Sequence, residues 1–104
     1  METIGEKLRE LREGKGLLLR QVATELEIDP SLLSRIERGD KLPTRNQIVF
    51  LEKMYGTKPN ELLVLYLCDR LLSELEGEDE VALKVMQVTE KKVSYLVKNK
   101  HAKA

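Results

Sequence analysis

The chain has 104 residues, of which 41% are hydrophobic and 35% are charged, and its 18 basic residues balance 18 acidic ones. This length suits one domain with an appendage, and the absence of a net charge gives no overall indication of a nucleic-acid partner. Because no apolar run approaches the ~20 residues of a membrane span and the N-terminus METIGEKLRE is charged, we expect a soluble, cytoplasmic protein that does not contact a membrane.

The first predicted helix covers residues 3–13. Thr3 and Glu6 have the spacing of a capping box, in which each side chain accepts a hydrogen bond from the other residue's backbone N–H. Apolar residues recur at helical spacing on one face: Ile4, Leu8 and Leu11. Glycines at positions 14 and 16 end this helix.

Two short helices follow, over residues 19–26 and 30–38. The second is expected to start with Asp29 as an acceptor at the N-cap and Pro30 at the first helical position, and to stop at Gly39 in a left-handed conformation. Only three residues separate the two helices, so they must cross steeply, and Ala23 is small enough to allow a close approach. This arrangement is a helix-turn-helix, whose second helix can enter a DNA major groove.

Three more helices complete the prediction. Thr44 and Gln47 form a second capping box before a helix that ends at Gly56, and Pro59 is placed at the first position of a fifth helix running to Glu76. A last helix covers residues 80–99, and the final KNKHAKA is expected to fray. No strand pattern occurs, so the predicted fold class is all-α.

Residues that could carry catalysis are scarce. His101 is the single histidine, and Cys68 is the single cysteine, which excludes an internal disulfide and is expected in the core, with a reactive thiol as the alternative. No glycine-rich loop matches a nucleotide fingerprint, and the carboxylates are spread along helix faces. We therefore predict no catalytic residues, no metal site, no cofactor and no enzymatic function.

Several short motifs together resemble a known family. They are I-x-x-x-L-R-x-L-R at 4–12, K-G-L at 15–17, V-A-x-x-L at 22–26, S-R-I-E-R-G at 34–39, proline at 43 and N-E-L-L at 60–63. The combination resembles the Cro/C1-type (xenobiotic-response-element) helix-turn-helix family, with restriction-modification controller proteins and phage-type repressors as the nearest-looking relatives. The resemblance implies a five-helix, lambda-repressor-like DNA-binding domain over residues 1–66 and a C-terminal helical extension over residues 67–104.

The resemblance also assigns roles to individual residues. The positions expected to contact bases are Ser31, Leu32 and Arg35, with a core position as the alternative for Leu32. The positions expected to contact phosphates are Arg20, Arg38, Lys41 and Arg45. Arg12 and Glu37 match an internal salt bridge that ties the first helix to the end of the third, and phosphate contact is the alternative for Arg12.

Four positions depart from the family pattern. Leu18 and Leu19 replace the Ser or Thr and the Gln that commonly begin the second helix and touch phosphate. Glu27 replaces a turn glycine, so it must either tolerate a positive φ or alter the turn. Glu52 stands where a small apolar residue is common, and we expect it at the helix edge or paired with an arginine.

The C-terminal third carries segregated charge and an apolar surface. Residues 69–80 contain six acidic residues and one arginine, and the chain from residue 84 onward contains six lysines and one glutamate. We predict a homodimer through this extension; the alternative is that the last helix folds back on its own domain. The predicted interface residues are Leu71, Leu72, Leu75, Val85, Met86, Val93 and Leu96.

The leading functional hypothesis is a sequence-specific transcriptional regulator that binds double-stranded DNA as a homodimer. The helix at residues 30–38 is expected to read the major groove of a palindromic operator. The alternative is a protein-interaction module, such as an antitoxin or coactivator, with a protein partner at the charged extension.

Overall fold

A computed structural model of the chain describes the backbone of residues 1–102 and the side chains of residues 1–100. Six helices follow one another in the described chain: α1 Ile4–Gly14, α2 Leu19–Leu26, α3 Pro30–Glu37, α4 Arg45–Tyr55, α5 Glu61–Glu74 and α6 Ala82–Ala102. No strand occurs in residues 1–102, which confirms the all-α prediction. The chain divides into two compact units, Met1–Leu72 and a second unit that begins at Ser73.

Both predicted capping boxes are present. Thr3 Oγ1 accepts from the Glu6 N–H at 3.1 Å, and the Glu6 carboxylate accepts from the Thr3 N–H at 3.4 Å. Thr44 and Gln47 make the same reciprocal pair at 3.1 and 2.8 Å. Each box satisfies two N–H groups that would otherwise lack a partner, which is why these two helix starts were readable from the sequence.

The start of α3 differs from the prediction. Asp29 occupies the N-cap position, but its side chain makes no capping hydrogen bond. Pro30 follows at the first helical position as predicted, and its lack of an N–H removes one donor from this helix end. Gly39 has a φ of +85°, which confirms the predicted left-handed stop.

Glu27 ends α2 in the left-handed region, with φ 57° and ψ 42°. The turn therefore keeps its geometry, and the glutamate tolerates the positive φ. Its side chain is exposed, so no tertiary contact offsets the steric cost of this conformation.

We expect Glu27→Gly to raise the free energy of unfolding by about 1 kcal/mol, because glycine adopts the left-handed region without steric cost. The matched control is Glu25→Gly, two residues earlier on the exposed surface of α2, which should lower stability by up to about 1 kcal/mol through the poor helix propensity of glycine. Urea unfolding gives both values. A lowered midpoint for Glu27→Gly contradicts the proposed strain at this turn.

The first unit has one hydrophobic core to which α1 to α5 all contribute. Its buried apolar side chains are Ile4, Leu8, Val22, Ala23, Leu33, Ile36, Ile48, Leu51, Tyr55, Leu62 and Tyr66. The apolar stripes predicted for these helices are therefore the faces that pack together. Cys68 is exposed, so its prediction as a core residue is wrong.

The start of α5 also differs from the prediction. The helix begins at Glu61 rather than at Pro59, and it ends at Glu74 rather than at Glu76. Asn60 has a φ of +67°, and the Glu61 N–H donates to the Lys58 carbonyl at 3.1 Å. Proline followed by asparagine suits a turn whose third residue needs a positive φ, so this dipeptide forms a turn before the helix.

Glu52 neither lies free at the edge of α4 nor pairs with an arginine. Its Oε2 accepts hydrogen bonds from the N–H groups of Leu62, at 3.0 Å, and Leu63, at 3.3 Å. The carboxylate therefore caps the first turn of α5 from a neighbouring helix, where the helix dipole favours a negative charge.

Asp69 has a similar role at the other end of the domain. Its Oδ2 accepts from the Ile4 N–H at 2.8 Å, across 65 positions of sequence. In the sequence Asp69 is the first acid of the segment 69–80, but its carboxylate stabilises the N-terminus of α1 and links it to α5.

The second unit consists of the end of α5, a short connection and α6. The helix extends to Ala102, past the predicted end at residue 99 and into the segment expected to fray. Residues 103 and 104 and the side chain of His101 lie outside the described residues. Among the side chains of residues 82–100 none is buried. No helix within residues 1–102 combines the length and hydropathy of a membrane span.

Candidate nucleic-acid interface

The pair α2 and α3 forms the predicted helix-turn-helix. The Ile28 N–H donates to the Ala23 carbonyl at 3.0 Å, which closes the C-terminus of α2 around the left-handed Glu27. Ala23 and Val22 are fully buried, so α2 presents a small surface on which α3 packs closely. Three residues connect the helices, and this short connection holds α3 in a fixed position on the domain surface.

α3 has one buried face and one exposed face. Leu33 and Ile36 are buried, whereas Ser31 and Arg35 are exposed. Ser31 and Arg35 are four residues apart, so they lie one turn apart on the same face of the helix. Both side chains are thus available to a groove that receives α3.

Leu32 occupies an intermediate position. Its side chain is half-buried and packs against the hydrophobic core. Only the remaining exposed part of this side chain is available to a DNA base, so a contact with a thymine methyl group stays a prediction.

The residues predicted to contact phosphates are all exposed: Arg20, Arg38, Lys41 and Arg45. Arg38 Nε lies 3.5 Å from Asp40 Oδ2, and both side chains are more than half exposed. An exposed pair of this kind contributes little to stability, so Arg38 can exchange Asp40 for a phosphate at small cost. At the start of α2, Gln21 Oε1 accepts from the Leu18 N–H at 2.7 Å, so this backbone donor already has a partner within the chain.

Arg12 and Glu37 form a bidentate ion pair behind α3. Arg12 Nε and Nη2 donate to the two carboxylate oxygens of Glu37 at 2.8 and 3.0 Å, and Arg12 Nη1 donates to the Leu17 carbonyl at 2.9 Å. Only 11% of the Arg12 side chain and 4% of the Glu37 side chain are exposed. The ion pair therefore joins α1, the start of α2 and the end of α3 inside the domain.

The ion pair also affects the ionisation of its neighbours. The hydrogen bond from Arg12 to Glu37 raises the pKa of the guanidinium above its ordinary value, although burial acts in the opposite direction. Burial, reinforced by the negative charge of Glu37, raises the pKa of the Tyr55 hydroxyl to about 12. Arg12 stays charged and Tyr55 stays neutral at any physiological pH.

Gly5 forms a second contact between α1 and α3, and the sequence analysis missed it. A Cβ atom at this position lies 2.5 Å from the Ile36 carbonyl oxygen and 2.7 Å from the Glu37 carbonyl oxygen. The last turn of α3 therefore packs directly on the backbone of α1. The available signal was a glycine inside a helical apolar pattern, which usually has a packing reason.

These contacts define what the site can do. The C-terminal turn of α3 is held by its contacts with α1, while Ser31 and Arg35 are exposed on the other face of the helix. Such an arrangement suits recognition of base edges rather than catalysis. Within the described residues no group of three His, Cys, Asp or Glu side chains comes together that could hold a metal ion.

Comparison with known proteins gives three matches. A family model described as a helix-turn-helix domain matches residues 3–65. The chain is 33% identical over 89 residues to the HTH-type transcriptional regulator SlrR of Bacillus subtilis (strain 168), covering 84% of this chain and 57% of that protein. It is 38% identical over 58 residues to the HTH-type transcriptional regulator DdrOP3 of Deinococcus deserti, covering 56% of this chain and 45% of that protein.

The chain thus spans about half the length of the curated relatives it matches. No solved structure matches it significantly. The family match covers more than half of the chain, and it includes all of α1 to α4, with the packed α2–α3 pair, as well as the start of α5. The chain therefore belongs to the helix-turn-helix domain family, in agreement with the Cro/C1-type resemblance of its sequence.

Proposed function

We propose that the chain is a sequence-specific, DNA-binding transcriptional regulator that acts in the cytoplasm and has no enzymatic role. The observation that carries the proposal is the exposed face of α3 with Ser31 and Arg35, fixed by the buried contacts between α1 and the end of α3. The family match and the regulators named among its relatives support it.

In this proposal α3 enters the major groove and Arg35 is the principal base-reading residue. An arginine can donate two hydrogen bonds to O6 and N7 of guanine, a contact worth ~1–3 kcal/mol of discrimination. Ser31 contacts a neighbouring base with less selectivity, and Leu32 contributes its exposed edge. The cations that contact flanking phosphates are Arg20, Arg38, Lys41 and Arg45, and they orient α3 without reading sequence.

We expect Arg35→Ala to reduce the preference for a selected site over random DNA by about ten- to a hundredfold, which is the loss of one bidentate base contact. Binding to random DNA should weaken much less. Fluorescence anisotropy with both DNAs over a series of salt concentrations measures the two affinities.

The matched control for Arg35→Ala is Arg45→Ala. This variant should weaken binding to both DNAs alike and reduce the salt slope by about 1, because it removes one phosphate contact. If Arg35→Ala behaves like Arg45→Ala, Arg35 contacts phosphate and the assignment of the reading face is wrong. If neither variant affects binding, a protein-interaction role for this face replaces the DNA-binding role.

We further propose that the regulator acts as a homodimer on a palindromic operator. A single small helix-turn-helix contacts few base pairs, and pairing two copies places two recognition helices one helical turn of DNA apart, ~34 Å. The predicted interface residues Leu71, Leu72, Val85, Met86, Val93 and Leu96 are exposed and Leu75 is half-buried, so each of these apolar side chains is available to a second chain.

We expect Val93→Glu combined with Leu96→Glu to convert a dimer into a monomer, because 51% of Val93 and 64% of Leu96 are exposed and the substitutions leave the core unchanged. The control is Tyr95→Glu, which introduces one charge of the same sign at a 66% exposed position on another face of α6 and should leave the dimer intact. Light scattering gives the mass of each variant. A dimer that survives the double substitution contradicts the predicted interface. A truncation near Tyr66 would also remove Asp69 and its hydrogen bond with the Ile4 N–H, so it would disturb the first unit, whereas these substitutions do not.

A further inference from the structure

The helix α6 carries a seam in which four of six positions are apolar, with Thr89 in its middle and Lys100 at its end. Positions separated alternately by four and three residues lie on one face, in the order Ala82, Met86, Thr89, Val93, Leu96 and Lys100. This is the spacing with which a helix pairs along a partner helix. Met86, Val93 and Leu96 are 40%, 51% and 64% exposed, so the seam is uncovered in the single chain.

The opposite face of α6 is basic. Lys84, Lys91 and Lys98 follow one another at intervals of seven residues, and all three are exposed. Seven residues correspond to nearly two turns of helix, so these lysines form a row half a turn away from the seam. A partner that covers the seam therefore leaves Lys84 and Lys91 in solvent away from the basic end of the helix, and these two lysines have no part in the choice of orientation.

Charge at the two ends of α6 differs in sign. Glu78, Asp79 and Glu80 precede the helix, while Lys98 and Lys100 lie in its last turns. The helix between Ala82 and Lys100 is about 27 Å long at 1.5 Å per residue, so the two groups of charge are well separated within one chain. Acidic residues at the N-terminus of a helix and lysines at its C-terminus interact favourably with the helix dipole, so both groups also stabilise α6.

We propose that two copies of the chain pair through α6 in the antiparallel orientation. In a parallel pair, Lys100 of one copy faces Lys100 of the other in the seam, and the acidic ends lie side by side. In an antiparallel pair centred near Lys91, Ala82 faces Lys100, Met86 faces Leu96 and Thr89 faces Val93. The basic end of each copy then lies beside the acidic end of the other. Like charges therefore repel each other in the parallel pair, and opposite charges attract each other in the antiparallel pair. This difference favours the antiparallel orientation.

This inference rests on the proposed homodimer and adds its orientation, so the test separates the two. In a Cys68→Ser background, single variants Ala82→Cys and Lys100→Cys are compared with the chain that carries both. After mild oxidation, the antiparallel pair predicts covalent dimers for the double variant and none for either single variant, because a disulfide forms only between thiols that lie close together. Light scattering of the reduced proteins gives their oligomeric state.

Each other outcome has its own meaning. Covalent dimers of the single variants show a parallel pair and overturn the orientation. Reduced dimers that never cross-link show that another surface pairs, which overturns this inference and leaves the homodimer standing. Reduced monomers overturn the homodimer itself.

Charge reversal provides a second test in the unmodified thiol background. We expect Lys98→Glu with Lys100→Glu to raise the dimer Kd at least about tenfold, and the further changes Glu78→Lys and Glu80→Lys to restore it, because the two ends again differ in sign. The matched control, Lys84→Glu with Lys91→Glu, changes the opposite face and should leave the Kd within about twofold. Equal effects of the two lysine pairs contradict the antiparallel arrangement.

Discussion

Glu37→Ala should lower the free energy of unfolding by about 3–5 kcal/mol, because it leaves the charge of Arg12 buried without its partner. The Arg12 side chain is only 11% exposed, and the two hydrogen bonds at 2.8 and 3.0 Å are lost together. A small domain is stable by only ~5–15 kcal/mol, so this loss is a large fraction of the total. Urea unfolding followed by circular dichroism measures it.

Two further variants show whether the buried charge is the cause. Arg12→Met combined with Glu37→Leu replaces the pair by apolar side chains and should recover most of the loss, because no charge is then left unpaired. Glu13→Ala breaks the ion pair between Arg9 and Glu13, whose side chains are 62% and 54% exposed, and should change stability by less than about 1 kcal/mol. A double variant as unstable as Glu37→Ala contradicts the explanation.

Gly5→Ala should lower the free energy of unfolding by about 1–3 kcal/mol, although alanine is the better helix former. The added Cβ atom meets the carbonyl oxygens of Ile36 and Glu37 at 2.5 and 2.7 Å, so α1 and the last turn of α3 must move apart. That movement also shifts the reading face, and affinity for a selected DNA site should fall with stability.

Gly14→Ala is the matched control for Gly5→Ala. Gly14 lies in the same helix, and a Cβ atom there meets nothing within 4 Å. The substitution should therefore stabilise the domain by up to about 1 kcal/mol. Equal unfolding free energies for the two variants contradict the close contact between α1 and α3.

Local signals predicted much of the fold. The capping boxes at Thr3 and Thr44 and the glycines at positions 39 and 56 marked helix ends correctly, because each acts through hydrogen bonds or φ preferences within a few residues. The helix-turn-helix itself followed from apolar spacing and a three-residue connection. Glu27 kept the turn in spite of its Cβ, because the surrounding helices determine the backbone there.

Long-range contacts were not predictable in the same way. Glu52 caps α5 and Asp69 caps α1 from other helices, across 10 and 65 positions of sequence. A carboxylate that reaches a distant helix end looks identical, in sequence, to a solvated surface charge. The same limit explains Cys68, which shares a face of α5 with the exposed side chains of Val64, Leu71 and Leu72.

For the candidate site, the sequence predicted the exposed residues of α3 but not all of the residues that hold α3 in place. Ser31 and Arg35 followed from the motif and from helical spacing, and both are exposed in the structure. Gly5 was not identified, because its role depends on the carbonyl groups of α3 rather than on any side chain. Residues that read a ligand can be recognised by type, whereas residues that position them depend on the packed fold.

Selection of bound DNA from a random pool tests the central claim most directly, with the chain and its Arg35→Ala variant treated in parallel. We expect the chain to enrich a palindrome whose half-sites are centred about 10–10.5 base pairs apart, with a guanine in each half-site that the variant no longer requires. A pool that shows no enrichment, or the same motif recovered by both proteins, would contradict sequence-specific recognition by α3.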